Sequence, residues 1–104
     1  MAMLSVDFEA NAAYLEVSSN DVVETCEVAP GVQVDLDEYG RAVGIELLSL
    51  SLSIPVDEIG RKYHVRQEDL DALRQVHPNV TTFVARQSAA AVAHPAAASP
   101  LTLA

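Results

Sequence analysis

The chain has 104 residues and a formal net charge of −9, a size that suits one domain with a modest core. Residues 1–54 hold ten carboxylates against Arg41 alone, residues 55–86 balance five acids with five bases, and residues 87–104 carry no charged side chain. An acidic half repels phosphate backbones and anionic lipid surfaces, so neither nucleic acid nor a membrane is an expected partner.

The first half reads as strands of period two. MLSVDF opens, EANA turns, and AAYLEVS follows with Ala13, Leu15 and Val17 on one face. After the turn formers SSND, VVETCEV runs into the tight break Ala29-Pro30-Gly31. VQVDLD then alternates strictly, which predicts Val32, Val34 and Leu36 inward and Gln33, Asp35 and Asp37 outward. Beyond Glu38-Tyr39-Gly40, RAVGIELL places Val43, Ile45 and Leu47 on the core face. LSLSLSI (48–54) alternates with opposite parity, which requires a bulge or bend near Leu47-Leu48. It reads as a bent strand or an extended crossing segment.

Pro55 marks a change of period. Val56, Ile59 and Tyr63 share one face of a short helix, with Asp57 and Glu58 in its first turn, where the helix dipole favours anions. Leu70, Leu73 and Val76 mark a second helix over 67–76, closed by His77-Pro78. NVTTFVA has the composition of a last short strand. From Gln87 the chain is Ala-rich, with Pro95 and Pro100, and reads as a disordered tail. The expected fold is therefore α+β: an antiparallel β-meander of about five strands, then two short helices, in a single domain over 1–86, with the tail at 87–104.

A lone cysteine, Cys26, excludes an internal disulfide framework and suits a reducing compartment. The N-terminus has no signal-peptide pattern, and no apolar run approaches the ~18 residues of a membrane span. A cytoplasmic location is expected.

DLDEYGRAVGIE (35–46) has the spacing of a calcium loop, with Asp35, Asp37, Gly40 and Glu46 at the required positions. An EF-hand needs flanking helices and oxygen ligands at most odd positions. Here both flanks are strands and Tyr39 stands where an oxygen is needed. A hairpin turn, with a positive backbone angle at Gly40, explains the stretch instead.

Three blocks of this half resemble the bacterial family catalogued as domain of unknown function 2283. They are Asp7 to Leu15, Val28 to Asp35 and Gly40 to Glu46, with Asn11, the shifted Ala13-Tyr14-Leu15 and Tyr39 as departures, within a match of about residues 6–50. The resemblance implies an antiparallel β-meander module of bacteria and imports no activity. Members encoded beside small toxin-like proteins hint at partners only.

No catalytic, cofactor or metal set emerges. His64, His77 and His94 lack ligand spacing with one another or with Cys26. Cys26 reads as a small buried hydrophobe, and Asp35 with Asp37 as a solvated pair. The helix pair 56–76 resembles a helix-turn-helix, but its second helix offers Glu68, Asp69 and Asp71 where a DNA reader needs bases or amides. Basic residues cluster only at Arg61, Lys62 and Arg66. The expectation is a non-enzymatic, self-associating interaction module, a homodimer formed through the uncharged LSLSLSI segment. The alternative is an antitoxin-like or transcription-linked protein acting through the helix pair, with a small basic protein as partner.

Overall fold

The computed structural model describes residues 2–76, 78–93 and 102–103, with side chains as far as Ser88. In chain order the elements are β1 (Met3–Asp7), β2 (Ala12–Glu16), β3 (Glu24–Ala29), β4 (Val32–Leu36), β5 (Ala42–Leu47), α1 (Val56–Lys62), α2 (Gln67–Gln75), α3 (Val80–Ala93) and β6 (Thr102–Leu103). The first five strands pair antiparallel, as expected, and the class is α+β. Their order is β3-β4-β5-β2-β1-β6, so β5 lies between β4 and β2, and residues 17–23 carry the chain from β2 to the outer strand β3.

Turn chemistry sets each hairpin. Asn11 takes a positive φ of 53° between β1 and β2, and the Asp7 carboxylate accepts the Ala10 N–H at 3.0 Å. Pro30 and Gly31 (φ 79°) join β3 to β4, as a proline-glycine turn requires. Gly40, with φ 74°, confirms the positive angle expected between β4 and β5.

One sheet face forms the core. Leu4, Leu15, Val32, Val34, Ile45 and Leu47 pack there against Ile59, Leu73, Val76, Val80 and Phe83 of the helices. Burying each such side chain contributes ~1.5–3 kcal/mol. Val43 departs from expectation. Leu36 pairs with Ala42 and Asp35 with Gly44, so Val43 is an extra residue whose carbonyl accepts both the Val17 and Ser18 N–H groups. This bulge turns Ala42 into the core cluster and leaves Val43 buried outside it.

LSLSLSI is not a strand. The chain leaves the sheet after Leu47, turns at Ser49–Ser51 and crosses to α1. Leu50 and Ile54 are buried and Leu48 is exposed. The backbone of the segment is held by Gly31, Asn11 and Thr81: the Leu48 N–H donates to the Gly31 carbonyl, the Leu50 N–H to Asn11 Oδ1, and Thr81 to the Leu50 carbonyl. These bonds fix the segment as a turn and crossing, not as an extended strand.

Both expected helices form, α1 over Val56–Lys62 and α2 over Gln67–Gln75. NVTTFVA, whose composition allows a short strand, is helical from Val80, and α3 runs through Gln87 to Ala93 where an unstructured tail was expected. Asn79 caps it, its Oδ1 accepting the Thr82 N–H at 2.9 Å. The cap and the alanines outweigh the strand preference of Val80, Thr81 and Thr82. The rest of the proposed tail lies outside the described residues, except that Thr102–Leu103 pair parallel with Met3 and Leu4.

Candidate functional site

The turn Asp37–Arg41 is built around one carboxylate. Asp37 was expected on the solvent side but is buried, with 4% of its surface exposed. Its Oδ1 accepts the Tyr39 and Arg41 N–H groups at 2.8 and 3.0 Å, and its Oδ2 the Asn20 side-chain amide at 2.9 Å. The Arg41 N–H, helped by Asn20 and the Tyr39 N–H, holds the Asp37 carboxyl below the ordinary carboxylate range, against the opposing effect of burial. Asp37 is thus occupied as a turn anchor. Asp35 and Glu46 lie on the two flanking strands with their side chains on the open sheet face. Among the described residues, no group of three or more His, Cys, Asp or Glu side chains is placed to hold a metal ion.

Beside this turn lies a cleft of about 850 Å³. Its walls come from the β2–β3 connection, the Tyr39–Ala42 stretch and the α1–α2 connection, and include Ser19, Tyr39, Arg41, His64, Arg66 and Asp69. An isolated parallel bridge joins Arg41 to His64, and the Ala42 N–H donates to the His64 carbonyl at 3.0 Å. The Arg41 guanidinium sits over the Tyr39 ring, 5.5 Å from its centroid. Arg66, where a conventional cap was missing, pairs with Asp69 Oδ2 at 3.0 Å and with Glu68, and reaches the Val17 carbonyl. That pair explains why Asp69 is buried.

The sheet face away from the helices is the second feature. Asp7, Glu16, Glu27, Asp35 and Glu46 stand on it, and no Lys, Arg or His of the described strands shares it. Tyr14 lies flat across this face over Gly44, whose missing side chain makes room for the ring. Its hydroxyl donates to Asp35 Oδ2 at 2.9 Å, and Thr25 donates to Asp35 Oδ1 at 2.6 Å. Burial, then the Asp35 carboxylate, raises the Tyr14 phenol well above its ordinary range and keeps it protonated. Tyr14, Asp35 and Gly44 come from the three separate blocks noted in the sequence, and only the pairing β2-β5-β4 brings them together.

The remaining candidates stay apart. Cys26, expected to be buried, is half-buried on β3, packed against the core edge. Burial and neighbouring Glu24 raise its thiol, which opposes nucleophilic use. His64 is exposed in the cleft, and His77 and His94 lie outside the described residues. On α2, Ala72 and Leu73 face the core while Glu68, Asp71 and Arg74 are exposed. Arg61 and Lys62 stand on α1, with Lys62 paired to Glu58 at 3.0 Å. No helix among the described residues is long and apolar enough to cross a membrane.

Comparison with curated proteins and with solved structures returns no match. Residues 4–51, spanning β1 to β5 and the start of the crossing segment, match the family described as "Protein of unknown function (DUF2283)", and through that region the chain resembles this family.

Proposed function

We propose that the protein is a non-enzymatic interaction module whose acidic sheet face, left open by the described residues, receives a small basic protein in the cytoplasm. One observation carries this reading: the open face holds five carboxylates and, among the described strands, no base. Such a surface attracts a complementary partner and speeds encounter with it. The raised Tyr14 phenol and Cys26 thiol leave both poorly suited as base or nucleophile, which favours binding over catalysis. The acidic exposed side of α2 weighs against a DNA-reading role for the helix pair. The antitoxin-like alternative is retained in the form of an acidic cover for a basic partner.

The test is co-purification of the tagged chain from its own host. A basic protein retained by wild type and by Asp57→Asn/Asp71→Asn, but lost from a folded Glu27→Gln/Glu46→Gln variant, supports the proposal. Retention of the same protein by Glu27→Gln/Glu46→Gln refutes it.

A second reading, self-association, rests on β3 being the outer strand, with Val22 and Val23 45% and 64% exposed beside it. Two copies could pair these edges about a two-fold axis, although Glu24 and Glu27 oppose that pairing. Sedimentation at micromolar concentration decides it: a species of 11.1 kDa removes this reading.

A further inference from the structure

We infer that the cleft beside the Asp37–Arg41 turn binds a small organic carboxylate. Its volume, about 850 Å³, lies within the ~300–1,000 Å³ of ordinary small-molecule sites.

The central group is the Arg41 guanidinium. In a chain with net charge −9, Lys62, Arg66 and Arg74 each pair with a carboxylate. Among the described residues Arg41, like Arg61, has no such ion pair, although its charge acts on Asp37, its neighbour in the same turn. The reason is geometric: the Asp37 carboxylate is turned toward the backbone N–H groups of Tyr39 and Arg41 and toward Asn20. The guanidinium is instead placed over the Tyr39 ring, a contact that consumes none of its N–H donors.

The other walls fit the same ligand. His64 is tied to the Arg41–Ala42 backbone, so both residues line the same wall of the cleft. α2 begins at the cleft with no side-chain cap, and the carboxylates of its first turn, Glu68 and Asp69, are paired with Arg66. Asp69 also lines the cleft, but its carboxylate is taken by Arg66. Glu16 is the opposing charge on the rim.

Two observations select an organic carboxylate over a phosphate. The field of a chain at −9 opposes a dianion more than a monoanion. Tyr39, 68% exposed with Arg41 over its ring, leaves apolar ring surface for the organic part of a ligand, which inorganic phosphate cannot use.

The experiment titrates benzoate and, separately, inorganic phosphate into the full chain, followed by amide and arginine side-chain NMR. Expected are saturable benzoate shifts at Tyr39, Arg41, Ala42 and His64, with a dissociation constant near or below about 1 mM. Arg41→Gln should weaken binding at least about tenfold, and Arg41→Lys should also weaken it, because an ammonium lacks the fork. Glu16→Gln should tighten it. Melting curves identify folded variants, and Arg41→Lys provides a second test of the fork. No benzoate saturation by about 20 mM, or equal affinity in a folded Arg41→Gln, overturns the site. Saturable phosphate binding without benzoate binding overturns the carboxylate assignment.

Discussion

Gly44→Ala should destabilise the protein through Tyr14, not through the backbone of β5. A methyl built at Gly44 overlaps the Tyr14 hydroxyl and ring. The ring must therefore lift off the sheet and release its 2.9 Å bond to Asp35. A hydrogen bond to a charged group contributes ~1.5–3 kcal/mol, and the low end applies to this partly exposed pair. Loss of the ring's cross-strand packing adds ~0.2–1 kcal/mol. Against these, alanine at an unstrained position gains ~0.4–1 kcal/mol over glycine by restricting the unfolded chain. The net cost is about 1–2 kcal/mol, read as a fall in melting temperature of roughly 5–15 °C for a domain of this size. In a Tyr14→Ala background the obstruction is gone, and the same Gly44→Ala change should be neutral or stabilising. Urea unfolding of the four proteins by circular dichroism gives the coupling directly. An equal loss in both backgrounds refutes the role assigned to the ring.

Ile45 has no exposed surface, so Ile45→Ala should cost ~2–5 kcal/mol. An unchanged melting temperature would place the wrong face in the core. Gly40 holds φ 74° with open space around a built Cβ, so Gly40→Ala should cost ~1–2 kcal/mol from backbone strain alone, and Gly40→Asn less. Thermal unfolding measures both. Asp37→Asn should destabilise at neutral pH, because the carboxylate anchors the turn. The folded-state pKa is depressed, so its contribution is present above the unfolded value of ~3.9 and is lost as pH falls through the folded one. The gap between wild type and Asp37→Asn should therefore narrow in acid, as unfolding at stepped pH would reveal. Calcium at 1 mM should leave the melting curve unmoved, whereas a site of ~10 µM would add about 2.7 kcal/mol.

The strand faces were legible because period two survives wherever the pairing is regular: Val32, Val34, Ile45 and Leu47 all face the core. Alternation misplaced Val43 because a bulge is set by a partner strand, here through Val17 and Ser18, and leaves no local signature. LSLSLSI alternates like a strand, yet Asn11, Gly31 and Thr81 hold it as a crossing segment. For α3, the Asn79 cap and the apolar spacing of Val80, Phe83 and Val84 were readable signals overshadowed by β-branched residues. Asp37 matched the outward parity of its strand but sits just past the end of β4, where turn chemistry replaces alternation. The cleft was not legible at all. Arg41 and His64 meet only through a long-range parallel bridge, and neither shows a motif by itself.

Docking on the open face is tested most directly by carboxyl footprinting of the native complex. The tagged chain, isolated under mild conditions with the basic protein that the proposal requires, is labelled with a carbodiimide and compared with the free chain by mass spectrometry. Glu27 and Glu46 on the open face should be protected in the complex, while Asp57, Glu58 and Asp71 of the helix layer label equally in both. Protection of the helix-layer carboxylates with Glu27 and Glu46 left fully reactive would contradict docking on the acidic sheet face.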